Sequence, residues 1–191
     1  MLNRPLKKRR KGQFFILGAF ILVVLFASNL SFREPLANRP DTGTKYFSSN
    51  IQGELPRALN LGLNQSSADT VMLNFTRFIN SEMASRGVNY SCLWLLAEGN
   101  AGNSDVNVTI ANFLWGSRAV SLTLGATSRP LQVPFNSTNS TVFTSVPEKY
   151  NITIVYDGTS RTYEWQRAKA NMYAYISLAK GDDSVMEHIT G

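Results

Sequence analysis

Residues able to do covalent chemistry are scarce in this chain of 191. It has one histidine, His188, three residues from the end, and one cysteine, Cys92. One His and one Cys far apart make no recognisable zinc ligand set. A Ser-His-Asp or Cys-His nucleophile needs a firmly held histidine, and His188 lies where chains often fray. Gly99-Asn100-Ala101-Gly102 is a turn without the Lys or the helix start that a phosphate loop requires. Asp182-Asp183 offers hard oxygen ligands to a cation but reads as a solvated turn. No pair of carboxylates is picked out for acid/base work. The expectation is a protein without enzymatic activity, metal or cofactor.

Binding chemistry is better represented. Tyr163 and Trp165 alternate on one expected strand, and Tyr173 and Tyr175 on the next. On adjacent strands they would form an aromatic platform of the kind that stacks on sugars or on another protein; the alternative is cross-strand core or surface packing. Asn-x-Ser/Thr acceptor sequences occur at Asn29, Asn64, Asn74, Asn89, Asn107, Asn136, Asn139 and Asn151. Chance placement predicts roughly three. In Asn107-Val108-Thr109-Ile110 and Asn151-Ile152-Thr153-Ile154, acceptor and hydroxyl share one strand face and the apolar residues take the other. Such faces suit a glycosylated ectodomain, and a polar, unmodified sheet surface is the alternative. Asn29 lies too close to the expected bilayer to be a good acceptor.

Those strands sit behind an abrupt change of solvent. The formal charge of +6 equals the contribution of Arg4, Lys7, Lys8, Arg9, Arg10 and Lys11, and the remaining chain is neutral. The high pI therefore belongs to a short basic tail and not to a nucleic-acid-binding surface. From Phe14 to Ser28 there is no charge, and residues 13–32 as a helix span about 30 Å, the thickness of a hydrocarbon core. The basic cluster is expected on the cytoplasmic side and the rest of the chain outside. Phe26-Ala27-Ser28 fits poorly to the small residues that an ordinary cleaved signal peptide needs. A lone cysteine forms no intramolecular disulfide, which argues mildly against a eukaryotic secreted domain. Cys92 reads as a small buried residue, with an intermolecular bridge or reactive thiol as the alternative.

The boundaries follow composition: 1–12 a basic leader, 13–32 a transmembrane helix, 33–45 a linker holding Pro35, Pro40 and Gly43, 46–87 a helical segment, and 88–191 a β ectodomain. Ile51, Leu55, Leu59 and Leu63 have helical spacing, but Gly53 and Pro56 leave open one kinked helix or two short ones. Ser66 with Asp69 resembles a capping box. It opens a helix with a stripe of Met72, Phe75, Ile79 and Met83, widened by Val71 and Phe78, and Gly87 ends it. Packing on the protein's own sheet is the expected use of that stripe. Strands are expected over 89–96, 106–114, 118–124, 131–135, 141–146, 150–156, 161–167 and 170–179, with Asp157-Gly158 as a hairpin turn. The fold class is an N-terminal transmembrane helix, a short helical region, then a mainly-β, immunoglobulin-like antiparallel sandwich.

Lys11-Gly12-Gln13-Phe14-Phe15-Ile16, between a basic cluster and an apolar helix, resembles the class III signal peptide of archaeal type IV pilin-like proteins. The resemblance implies cleavage between Gly12 and Gln13 by a membrane peptidase, leaving the apolar helix on the mature chain. It implies a glycoprotein of the archaeal cell surface, anchored by one membrane pass, with self-association through the N-terminal helix. Two departures stand beside it. Many pilins carry Glu at the fifth mature position, which here is Leu17, and Pro35 and Pro40 interrupt the chain soon after the span. The layout of one anchor and one sandwich is also similar to archaellum stator subunits. That similarity implies a monomeric single-pass protein contacting the surface layer or envelope glycan.

Overall fold

A computed structural model describes residues 43–64, 67–100 and 102–191. The basic leader, the Gly12-Gln13 junction, the apolar stretch 13–32, Asn29, linker residues 33–42 and Ser66 lie outside the described residues. No helix among the described residues is long and apolar enough to cross a membrane.

Helix α1 runs Gly43–Asn64 without a break, Pro56 included. Its buried stripe is Thr44, Ser48, Ile51, Leu55, Ala58, Leu59 and Gly62. Steps of three and four carry that stripe through two small hydroxyl residues before the first aliphatic one. The helix therefore starts inside the segment expected as linker, and Gly43, Thr44 and Lys45 are helical. Leu63, expected on the stripe, is exposed. Gly62 marks the crossing with the next helix, because a Cβ there would lie 2.6 Å from the Ala68 Cα.

Helix α2 is Ala68–Ser85. Its N-cap is Ser67, whose side chain makes no capping bond, while Asp69 accepts a hydrogen bond from the Thr70 amide at 2.7 Å. The described residues thus place the start one residue later than the expected box. Gly87, at φ 67°, ends the helix, and the Val88 amide returns to the Met83 carbonyl at 2.9 Å. Met72 and Met83 are buried, and Phe75 and Ile79 pack beside them. Phe78, expected to widen the stripe, is 62% exposed on the opposite flank.

Nine strands follow among the described residues: β1 Asn89–Gly99, β2 Val106–Asn112, β3 Arg118–Leu124, β4 Thr127–Val133, β5 Ser137–Phe143, β6 Lys149–Tyr156, β7 Thr159–Gln166, β8 Asn171–Lys180 and β9 Asp183–Thr190. They form a five-stranded sheet, ordered β5-β2-β1-β8-β9, and a four-stranded sheet, ordered β4-β3-β6-β7. Every pairing is antiparallel. Asp157 and Gly158 both have positive φ, 47° and 75°, as the two-residue turn joining β6 to β7 requires. The ninth strand was not expected, and it takes His188 out of a frayed tail into a paired register opposite Tyr175.

Two cores result. Between the sheets lie Leu93, Leu95, Val108 and Ile110 from one side and Val120, Leu122, Ile152 and Ile154 from the other. The second core lies between the five-stranded sheet and the helices, where Ile51, Leu55 and Met72 meet Cys92, Trp94, Leu96, Phe113 and Ile176. The described residues are thus mainly β, with two antiparallel sheets packed face to face and two helices covering the outer face of the larger sheet. Burial on both faces explains why Cys92 to Ala97 are all buried.

A buried polar contact pins the helix layer to the sheet. The Trp94 indole N–H donates to the Thr76 hydroxyl at 3.0 Å, and that hydroxyl donates to the Met72 carbonyl at 2.8 Å. Thr76→Val keeps the shape but leaves the buried indole donor unpaired, so it should lower unfolding free energy by about 1–3 kcal/mol. Thr76→Ser should recover most of that loss, as read by denaturant unfolding.

Candidate functional site

The structure overturns the expected arrangement of the four aromatic residues. Tyr163 and Trp165 lie on β7 of the smaller sheet, and Tyr173 and Tyr175 lie on β8 of the larger one, so the two strands are not neighbours. The chain crosses between sheets after Gln166, and the rings of both strands turn inward toward the gap. Trp165 is 5% exposed, Tyr173 is fully buried, and Tyr163 and Tyr175 are half-buried against the same core. Tyr163 stacks on Trp165 at 6.0 Å and meets Tyr173 at 5.1 Å. These rings hold the sheets together and offer no flat outer platform.

Toward one end of that aromatic layer a polar chain runs from sheet to sheet. Tyr156 and Tyr173 share a hydroxyl–hydroxyl bond of 2.8 Å, Tyr173 Oη lies 3.1 Å from His188 Nδ1, and Arg161 Nη2 lies 3.2 Å from His188 Nε2. A guanidinium only donates, so Nε2 must accept and Nδ1 must carry the proton toward Tyr173. His188 is therefore neutral in this arrangement. Burial, followed by the Arg161 charge, holds it below its ordinary 6.5, with Glu187 opposing. Burial, reinforced by the Tyr156 hydroxyl, pushes the Tyr173 phenol well above its ordinary range.

This chain forms one wall of a cleft of about 430 Å³ whose rim includes Trp115, Arg118, Asp157, Arg161, Tyr175 and His188. Trp115 is 70% exposed and stacks at 5.6 Å, nearly parallel, on Phe135. Its loop is fixed from below by Asn112, which is completely buried. The Asn112 Nδ2 donates to the Gly116 carbonyl at 2.8 Å and the Val133 carbonyl at 2.9 Å, and Oδ1 accepts from the Leu114 amide at 2.9 Å. Arg118 Nη1 reaches Asp157 Oδ1 at 3.3 Å, while its Nε–H is buried without a partner. Sequence reasoning missed Trp115, Arg118, Arg161 and His188 as a group. The available signal was a Trp-Gly pair in a turn, where a core tryptophan has no place.

The expected acceptor asparagines divide by their hydroxyl partners. Asn64, Asn74, Asn89, Asn107, Asn136 and Asn151 are exposed, and half-buried Asn139 donates to the Gln132 carbonyl at 3.0 Å. Thr153 stays on an outer face, bonded to Thr162 at 2.8 Å, as expected of the Asn151 site. Thr109, expected on a solvent face beside Asn107, is instead buried. On the same side, Ala111 of β2 and Phe113 just beyond it enter the core beneath the helices. Thr76, partner of Asn74, is buried too.

The remaining candidates carry little chemistry. Cys92 is buried under the helices, and burial pushes its thiol up to about 12, far from a nucleophile's range. Asp183 opens β9 beside the Gly181-Asp182 turn. Among the described residues no group of three or more His, Cys, Asp or Glu side chains stands close enough to hold a metal ion. No protein-family model matches the sequence, and no curated protein matches it either.

Two measurements check this geometry. The His188 ring should titrate below 6.5 by NMR, and Arg161→Gln should raise its midpoint. Because the folded value is depressed, the stability it contributes is fully present above 6.5 and is lost as pH falls through the folded value. Asn112→Ala removes three hydrogen bonds and strands the buried Val133 carbonyl and Leu114 amide, so it should cost about 2–3 kcal/mol in denaturant unfolding.

Proposed function

We propose that this chain is an archaeal cell-surface protein of the pilin-like kind, structural and without enzymatic activity. Residues 13–32 anchor it by a single membrane pass, the N-terminus lies in the cytoplasm and the β domain is displayed outside. The observation that carries this reading is Lys11-Gly12-Gln13-Phe14-Phe15-Ile16 followed by a charge-free run. A basic cluster beside an apolar helix fixes orientation toward the cytoplasm. Phe14, Phe15, Ile16, Leu17 and Phe20 supply an aromatic-rich start to that helix for packing against further copies. The displayed domain is an immunoglobulin-like sandwich with added strands, a reading supported by two antiparallel sheets between which the chain crosses repeatedly. Its exposed acceptor asparagines make it a glycoprotein, and neither a cofactor nor a nucleic acid has a place in its action.

One observation favours a second reading, a monomeric single-pass protein that binds the surface layer or envelope glycan. The cleft at Trp115 presents an exposed aromatic stack beside two guanidinium groups.

Intact mass and N-terminal sequencing of the protein from its native membrane test the first reading. The expected mature chain starts at Gln13 and carries mass in glycan-sized steps. A start at Met1 removes pilin-type processing and leaves a plain anchor. Deletion of Phe14 to Leu17 should abolish any oligomer seen by crosslinking in membranes, and an oligomer that survives it overturns assembly through that helix.

A further inference from the structure

We infer that the cleft between the two sheets binds an acidic saccharide, a sugar ring bearing a carboxylate or sulfate, with Trp115 as the stacking surface and Arg118 and Arg161 as the anion partners. The inference rests on the second reading above, in which the domain faces the envelope, and it names the ligand that reading lacks.

Three features of the cleft point to this chemistry. Trp115 leaves most of its indole in water although the protein has two cores to hide it in, and Phe135 backs it in parallel. A rigid, supported aromatic face on a loop locked by Asn112 is what an apolar sugar face stacks on. The charge on the rim is the second feature. Arg118 and Arg161 oppose one carboxylate, Asp157, and the hydrogen-bond chain keeps His188 neutral, so the cleft holds one excess positive charge. The third is unspent donor capacity. Arg161 uses Nη2 on His188 and Arg118 uses Nη1 on Asp157, which leaves each guanidinium further N–H groups. A planar guanidinium with free N–H groups matches a carboxylate or sulfate by paired hydrogen bonds. His188 and Tyr175 add a polar edge and a half-buried ring beside these donors, which suits the mixed faces of a hexose. The volume of about 430 Å³ accommodates one or two sugar rings.

The test is calorimetric titration of the full-length chain in detergent with four probes: a short oligogalacturonate, a sulfated galactose oligomer, a neutral galactose oligomer and inorganic sulfate. Saturable binding of at least one acidic oligomer, tighter than the neutral one by about tenfold or more, is expected. That binding should weaken as salt rises from about 0.05 to 0.5 M. Trp115→Ala and Arg161→Gln, both at exposed positions, should each weaken it by about fivefold or more. Binding of neither acidic oligomer, equal binding of the neutral one, or indifference to both substitutions overturns the proposal. Inorganic sulfate binding as tightly as the oligomers overturns it too, because the sugar ring would then contribute nothing. Protease shaving of intact cells reports display of the domain independently. A displayed domain that binds no acidic sugar defeats this inference alone, and a domain protected from protease defeats the reading beneath it.

Discussion

Strand β1 has no wet face, and the rest of the architecture answers to that. Its residues Cys92 to Ala97 are all buried, odd positions facing the second sheet and even positions facing the helices. A sheet dry on one side only would have made a two-layer sandwich of the familiar sort. Here both faces must be covered, so α1 and α2 are part of the core and not a stalk placed ahead of it. Burial of this depth makes an unpaired polar atom costly. Trp94 and Thr76 satisfy that demand beneath the helices, and Asn112 satisfies it at the bend that carries the chain from one sheet to the other.

The same demand shapes the other end of the aromatic layer. Tyr156 and Tyr173 bring hydroxyls into the gap between sheets, and both are paired. They do so in a line that ends on His188 and Arg161 at the open edge. Donors and acceptors along that line are used up in one order, set by a guanidinium that never accepts. What is left over at the rim is donor-rich. The chemistry of the cleft therefore follows from how the interior polar groups were satisfied.

Much of this was legible in the sequence, and the misses share a cause. Strand β3 lies at Arg118–Leu124, where alternation in the sequence puts it, and the Asp157-Gly158 turn and the Gly87 helix stop fall where their residues predict, because alternation and positive-φ residues are local signals. Strands β4 and β5 were placed several residues late. Thr127–Arg129 and Ser137–Ser140 are polar edge segments, held by backbone pairing that leaves no hydrophobic alternation to read. Strand β9 was missed for the same reason. The start of α1 was hidden because Thr44 and Ser48 occupy core positions that an apolar count passes over. Of the two readings of the four aromatic residues, core packing is the one the structure shows, and what decides it is non-local: period two says which residues share a face but not which sheet their strand joins. The cleft was out of reach for that reason as well: its rim gathers residues from β3, β7, β8, β9 and the loop after β2.

One buried hydroxyl also sets an order of events. Thr76 belongs at once to the acceptor sequence at Asn74 and to the buried contact with Trp94, and in the folded domain it is fully buried. Any enzyme that reads that acceptor through its hydroxyl must reach it before helix α2 docks on the sheet. Sugar at Asn74 would therefore record a chain caught early, whereas Asn151, whose Thr153 stays on an outer face, keeps no such deadline.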